Sequence, residues 1–360
     1  MNAHPTIRPN PGVLDIKAYV GGASKVEGAN RTVKLSANEN PFGPSPKAIE
    51  AYRAGADSLH RYPGTGAELR QAIADVHGLE ADRIVCGAGS DEIIALLIKA
   101  YVGVGEEVLY PEHGFTMFRL STLAAGGTPV TAPETDMTAD VDALIERIGP
   151  KTKIIFVANP NNPTGTMVGR AELELLADAL PPHTLLVIDG AYAEYLRPEE
   201  SDGAVEIVRA RDNVVMTRTF SKIHGLAALR LGWCYGPSHV IDVLNRVRGP
   251  FNVTASAQAA GEAAMRDQAY VDDCRVTNEV WRDWLTKEVR AAGFQVTSSM
   301  GNFILVHSDD RTDDMDAALK ARGLIVRRVG EYGLHAHLRI SVGDEQSCRE
   351  VAETIRSIRQ

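Results

Sequence analysis

The chain has 360 residues, 38 of them Lys or Arg and 47 Asp or Glu, and a net charge of −9 at pH 7. That balance argues against a broad cationic surface for nucleic acid or for an anionic membrane. Apolar residues at 44% and charged residues at 24% belong to a folded globular protein and exclude a disordered chain.

Residues 1–35 read as an N-terminal arm: Pro9, Pro11, Gly12, Gly21, Gly22 and Gly28 interrupt any periodicity. The first eleven residues are polar and lack the apolar core of a signal peptide. Strand and helix then alternate. Ile84-Val85-Cys86 is a short apolar run, and Ser90 is placed to cap the helix after it, with Asp91 and Glu92 in the first turn. Further runs follow at Glu107–Tyr110, Ile154–Val157, Leu185–Ile188 and Val214–Met216. They are continuously apolar and not alternating, which predicts a mostly parallel sheet buried on both faces. No run approaches the roughly 20 residues of a membrane helix.

The pattern changes at Gly249-Pro250. A small-residue helix is expected over Ala255–Met265 and a long one over 267–292, where Trp281, Leu285 and Val289 recur every fourth residue beside Trp284. Ile304–Val306, Leu324–Val326 and Leu338–Ile340 read as strands of a second sheet, closed by a helix over 344–358. Cys86, Cys234, Cys274 and Cys348 form no CxxC pair, so neither a zinc knuckle nor a dithiol is signalled, and a reducing, cytoplasmic compartment is expected.

The sharpest string is Thr219-Phe220-Ser221-Lys222, with Arg230 eight residues beyond the lysine. A lysine just past a buried strand is ordinarily a surface residue, but held at a fixed spot and partly neutral it can form a Schiff base. Asp189 ends another run, where ligands meet a parallel sheet, and it would equally serve as a helix cap. Tyr192 can reach the same space. Asn159–Gly165 is a loop of two prolines and three asparagines, either a plain turn or a rigid wall. Gly87-Ala88-Gly89-Ser90 joins a strand to a helix N-terminus, a natural anion site. It lacks GxGxxG because Glu92 takes the last position, and it lacks the P-loop form, so a compact phosphate suits it better than a nucleotide.

Together, Asn162-Pro163-Thr164-Gly165, Asp189 with Tyr192, and Ser221-Lys222 with Arg230 resemble the fold-type I enzymes that use pyridoxal 5′-phosphate, in their class I/II aminotransferase branch. The resemblance runs from about residue 15 to the C-terminus. It implies an α/β fold: a large cofactor-binding domain over 36–249, with a mostly parallel seven-stranded sheet flanked by helices, and a smaller α/β C-terminal domain over 250–360. Leu35–Pro41, Arg61-Tyr62-Pro63, Gly323–Arg327 and Leu338–Gly343 are similar to histidinol-phosphate aminotransferases in particular.

By that resemblance Lys222 is the Schiff-base lysine and proton shuttle. Asp189 faces the pyridine nitrogen, and Asn162 and Tyr192 face the ring's phenolic oxygen. Gly89, Ser90, Thr219, Ser221 and Arg230 surround the phosphate, and Tyr62 reaches it from the partner subunit, which implies a homodimer with shared sites. His113 stands where relatives carry a ring stacked on the cofactor; Phe115 is the other candidate. Arg339 takes the substrate carboxylate and Arg327 the distal phosphate or carboxylate. Tyr19 and Asn38 shape the substrate end. The implied reaction is reversible transamination of histidinol phosphate with 2-oxoglutarate in histidine biosynthesis. Aromatic amino acid or dual-specificity transamination is the alternative, and decarboxylation of a phosphorylated amino acid a further one. No metal is expected: the Asp309–Asp316 run lacks an EF-hand's glycine and terminal glutamate, and His335 and His337 have no third ligand nearby.

Overall fold

The computed structural model describes residue 7, residues 9–17 and residues 31–358. Most of the expected arm, and Tyr19 with it, lies outside these residues. Seven strands form one sheet: β1 (Ile84–Gly87), β2 (Glu107–Pro111), β3 (Thr128–Ala132), β4 (Thr152–Ala158), β5 (Leu185–Asp189), β6 (Val214–Thr219) and β7 (Gly232–Tyr235). Their order across the sheet is β1-β7-β6-β5-β4-β2-β3. All neighbours run parallel except β7, which is antiparallel to both β6 and β1.

The continuous apolar runs have a direct explanation, because successive strand residues point to opposite faces and both faces are covered. Val187, Phe156 and Val215 pack on one side with Leu97 of α2 (Ser90–Tyr101) and Phe118 of α3 (Thr116–Ala125). Ile188, Val157 and Met216 pack on the other with Ile73 of α1 (Ala67–His77), Leu173 and Ile207. The parity that sends Val187 and Val215 to the α2 side also sends Asp189 and Thr217 there, at the carboxyl ends of β5 and β6. Gly89, not Ser90, is the residue that caps α2, and Ser90 is its first helical residue. Gly89 has φ of +88°, outside the comfortable range of a serine.

A second, antiparallel sheet holds β8 (Gln295–Val296), β9 (Phe303–His307), β10 (Arg327–Val329) and β11 (Leu334–Ser341), in the order β8-β9-β11-β10. It packs with α5 (Gln268–Ala291), α6 (Thr312–Ala321) and α7 (Glu345–Ser357) around Leu285, Ile304, Met315, Leu338 and Val351. Leu324–Ile325 is a strand as expected but not of this sheet: it pairs in parallel with Val33–Lys34, and β10 starts after Val326. The Asp309–Asp316 run forms a 3₁₀ turn and the start of α6. Trp281 and Trp284 meet edge to face, with the Arg349 guanidinium over both.

The change of core does not coincide with Gly249-Pro250. Helix α4 (Ala255–Arg266) buries Ala257, Ala260 and Ala264 in the same cluster as Ala48 and Leu69, on the seven-stranded sheet. Its alanines let it lie close to these neighbours. The second core begins along α5, and Leu35 joins that core from the other end of the chain.

Gly232 lets β7 lie against the start of α2. A Cβ there would lie 2.4 Å from the Ser90 backbone nitrogen and 2.6 Å from the Gly89 carbonyl carbon. Gly232→Ala is therefore expected to push α2 away from β7 and to destabilise the protein by about 1–3 kcal/mol, the usual cost of overpacking. Denaturant unfolding of the purified variant measures it, and an unchanged midpoint would show that the helix start has room to yield.

Candidate active site

At the carboxyl edge of the large sheet a cavity is lined by Ser90, Asp91, Phe115, Ala158, Pro160, Asn162, Asp189, Ala191, Tyr192, Thr219, Ser221, Lys222 and Arg230. Each side is built differently. At one end, Arg230 donates from Nη1 to the Ser221 hydroxyl at 3.2 Å and from Nη2 to Asp91 at 3.0 Å. Its guanidinium lies on Gly89, where a Cβ would come within 2.4 Å of Nη2. The Thr219 hydroxyl accepts from the Ser221 amide at 3.1 Å, which folds the chain over after β6. Glu92 turns back to accept from the Ala88 amide and from Asn252, so its charge is engaged away from Arg230. The first turn of α2, two hydroxyls and a guanidinium make this end an oxyanion cradle.

At the other end Asp189 is buried and accepts from the Thr217 hydroxyl at 2.7 Å. Burial pushes its carboxyl up to about 6, with the Thr217 bond, Arg218 and Lys222 pulling the other way. A buried carboxylate of this kind suits a cationic ring N–H.

Lys222 lines the same cavity; its Nζ donates to the Ala37 carbonyl at 3.0 Å and stands 5.6 Å from the Tyr192 ring centre. Burial first, and the positive charge of Arg339 second, push its amine down to about 8. The buried Tyr192 hydroxyl accepts from Asn38 Nδ2 at 2.9 Å. Asn38 is itself clamped: its amide donates to Ser341, its side-chain oxygen accepts from the same hydroxyl, and its carbonyl accepts from Asn302.

The three asparagines of the Asn159–Gly165 loop divide the labour. Asn159 bonds both backbone groups of Val168, and Asn161 bonds the His113 carbonyl and the Thr164 hydroxyl, so these two build the wall. Asn162 alone faces the cavity, and its side-chain oxygen accepts from Arg339 Nη1 at 2.5 Å. Arg339 also donates from Nη2 to the Ser36 carbonyl at 2.6 Å, while its buried Nε has no partner among the described residues. Arg327 lies directly across from Arg339 on the adjacent strand, so the two share a face. It pairs with Glu331 at 2.5 Å, whereas Arg328 turns to Asp313.

Three expectations need comment. His113 does not line the cavity; Phe115 does. The Glu134 carboxylate draws the His113 ring away, bonding Nδ1 at 2.9 Å and the backbone amide at 3.0 Å. Burial alone would lower this imidazole, but Glu134 outweighs it and holds it above its ordinary value. Tyr62 is remote from this cavity: it is 81% exposed and stacks on Phe251, itself half exposed, at 4.5 Å. Asp91, Thr217 and the carbonyls of Ser36 and Ala37 are participants that sequence reading missed. For Thr217 a signal existed, since it alternates with Thr219 along one face of a strand. Among the described residues, no cluster of three His, Cys, Asp or Glu could hold a metal.

The donor set fits pyridoxal 5′-phosphate: an oxyanion cradle, a buried carboxylate, an amine and an aromatic side chain in Phe115 line one cavity. Comparison with known proteins points the same way. Residues 30–355 match the family model described as aminotransferase class I and II. The chain is 57% identical to a histidinol-phosphate aminotransferase of Dinoroseobacter shibae over 97% of both chains. It is 54% identical to one of Paracoccus denitrificans, over 97% of this chain and 95% of that one. Among solved structures, histidinol-phosphate aminotransferase from Sinorhizobium meliloti in complex with pyridoxal 5′-phosphate superposes with a TM-score of 0.89 at 27% identity, covering 99% of each chain. A Thermus thermophilus aspartate aminotransferase double mutant, 24% identical, shares the fold with a TM-score of 0.81 over 91% of each chain.

The depressed Lys222 amine gives a pH prediction. A base whose value falls to about 8 becomes neutral, and so nucleophilic, as pH rises through 8, well before a surface lysine near 10.4. In the cofactor-free protein, Lys222 acylation followed by peptide mass spectrometry should reach half its maximal rate near pH 8. A profile matching exposed lysines would contradict the burial argument.

Proposed function

This chain belongs to the aminotransferase class I and II family, and we propose that within it the protein moves an amino group reversibly between histidinol phosphate and 2-oxoglutarate. The observation that carries this reading is a carboxylate, an amine and an oxyanion cradle in one cavity, with two arginines sharing one face beside it. The names of its relatives support the choice of histidinol phosphate. The reading places the enzyme in cytoplasmic histidine biosynthesis. Free cysteines fit that compartment, and among the described residues no helix is long and apolar enough to cross a membrane.

Bound pyridoxal phosphate supplies an electron sink for the pair of electrons left when the substrate Cα–H bond breaks. The chain's residues do the rest. The first turn of α2, with Ser221 and Arg230, would hold the phosphate. Asp189 would pair with the ring nitrogen, Asn162 and Tyr192 with the phenolic oxygen, and Phe115 would cover the ring and exclude water. The Lys222 amine, partly neutral near pH 8, would take the proton from the substrate Cα and hold it for return.

Arg339 would take the α-carboxylate of glutamate and 2-oxoglutarate; its Nε, without a partner among the described residues, supports that role. Arg327, released from Glu331, takes the distal phosphate of one substrate or the distal carboxylate of the other. In a homodimer, the exposed Tyr62–Phe251 stack would be covered, and Tyr62 would reach the partner's phosphate cradle. An exposed aromatic pair of this kind marks an interaction surface.

Two experiments test the reading. Mixing the yellow holoenzyme with histidinol phosphate, phenylalanine or glutamate should bleach it, with kcat/KM far larger for histidinol phosphate than for phenylalanine. Bleaching by phenylalanine alone would overturn the substrate assignment while leaving transamination intact. Arg327→Gln should raise KM for histidinol phosphate and glutamate about 10–100-fold, the worth of a charge-assisted hydrogen bond of about 1.5–3 kcal/mol, and spare phenylalanine. For the shared site, Lys222→Ala and Tyr62→Phe proteins are mixed. Activity above the sum of the two supports it, and none despite subunit exchange counts against it.

A further inference from the structure

Behind the cavity, on the opposite face of the large sheet, sits an ionic cluster that no step above uses. Arg218 lies between Thr217 and Thr219 on β6, so its side chain leaves the sheet on the side away from Asp189. Its guanidinium is nonetheless brought back under the carboxyl end of the sheet. Nη2 donates to Asp202 at 2.6 Å, Nε lies 3.8 Å from Glu194, and Nη1 donates to the Thr217 carbonyl at 3.3 Å. All three side chains are buried, with at most a tenth of any of them exposed. Gly190, the residue after Asp189, makes room for this: a Cβ there would lie 1.6 Å from Nη1.

We propose that Arg218 is a positioning residue for the cofactor, holding Asp189 in place and keeping it a carboxylate from behind. Two routes connect them. One is covalent and hydrogen-bonded: Arg218 holds the Thr217 carbonyl, and the Thr217 hydroxyl holds Asp189. The other is electrostatic: the positive charge lies against Gly190 in a low-dielectric interior, where charges act over longer range than in water. Asp189 needs this help, because burial already pushes its carboxyl up to about 6, and Arg218 is among the groups that lower it.

The other groups facing Arg218 fix the sign. His77 is pushed down to about 4, by burial first and by Arg218 second, so it is neutral. Burial lifts Glu194 to about 7, against the pull of Arg218. Asp202, in direct contact, is the full counter-charge. Removing Arg218 leaves Asp189 buried with less positive charge nearby, and its carboxyl rises further. Removing the charge of Asp202 leaves Arg218 less neutralised, and the Asp189 carboxyl falls.

The inference rests on the proposed pairing of Asp189 with the ring nitrogen, and the experiment separates the two. Affinity of the cofactor-free enzyme is measured across pH for pyridoxal phosphate and for its analogue with C–H in place of the ring nitrogen. Asp189→Asn should weaken pyridoxal phosphate selectively; equal weakening of both would overturn the Asp189 reading itself.

With that reading standing, Arg218→Met should weaken pyridoxal phosphate, by up to about tenfold for each unit by which the carboxyl rises once the pH lies below the carboxyl's own value, and barely affect the analogue. Its loss of affinity on acidification should begin at higher pH, because a protonated Asp189 must shed its proton to pair with a protonated ring. Arg218→Lys should restore much of the selectivity. Asp202→Asn should move the same transition to lower pH. Equal losses for both cofactors in Arg218→Met, or transitions moving the same way in Arg218→Met and Asp202→Asn, would show that the cluster only holds the loop and would overturn the proposal. Should Arg218→Met fail to fold, Asp202→Asn alone decides: a downward shift supports the proposal and an upward or absent shift overturns it.

Discussion

Three buried ionisable side chains set the terms for this protein. Asp189 and Lys222 line one cavity and Arg339 is bonded to its wall at Asn162, and a charge taken out of water is tolerated only where it is paired or neutralised. Each resolves the problem differently. Lys222 is driven toward its neutral form by burial and by Arg339. Asp189 is kept in play by the Thr217 hydroxyl and nearby cations. Arg339, always charged, spends its terminal nitrogens on Asn162 and Ser36 and keeps Nε in reserve. In the proposed reading, the same low dielectric that makes these groups costly makes them chemically useful: an amine neutral near working pH, an acid that can hold a ring proton, and a cation with an unfilled donor.

The fold supplies that environment through the parity of a buried parallel sheet. Because both faces of β5 and β6 are covered, moving one residue along a strand exchanges one core for the other. Asp189 and Thr217 are registered partners on the same face, which is why their side chains meet at 2.7 Å. Arg218, one residue on, belongs to the opposite core and reaches back only because Gly190 and the end of the strand leave a gap. Glycines at 89, 190 and 232 stand where helix, strand and guanidinium approach too closely for any side chain. Chemistry at this edge therefore depends on backbone approach as much as on the polar residues themselves.

Much of this was legible in the sequence, and the exceptions share a cause. The central strands β4, β5 and β6 announce themselves as apolar runs because both faces are buried. Strand β3 does not, since it is an edge strand with a proline and mixed exposure, and β7 is a four-residue antiparallel insertion beginning at glycine. The change of core escaped detection because α4, which follows a Gly-Pro break, packs back on the first core through alanines that look alike in either setting. Motifs placed Lys222, Asp189, Asn162 and Arg230 around one cavity, because each lies next to the end of a strand. His113 does not border the cavity, because Glu134, far along the chain and paired with Ala139 in a small hairpin, captures its ring. Such a capture depends on a tertiary contact and leaves no local signature.

The two arginines on β10 and β11 bear on how one site can serve unlike substrates. Arg339 is buried and braced by fixed acceptors on two different chain segments, so its position costs little to maintain and does not adapt. Arg327 is paired with Glu331 on the following turn, a local and partly exposed partner that an incoming anion can displace. In the proposed reaction the amino end of every substrate must meet Lys222 in one geometry, whereas the distal end alternates between a phosphate and a carboxylate. A rigid cation near the reacting carbon and an exchangeable one farther out match that division. The energetic reason is that an exposed ion pair contributes little net stability, so exchanging Glu331 for a substrate anion at Arg327 costs little. Breaking the Asn162 and Ser36 bonds of Arg339 would strand a buried charge.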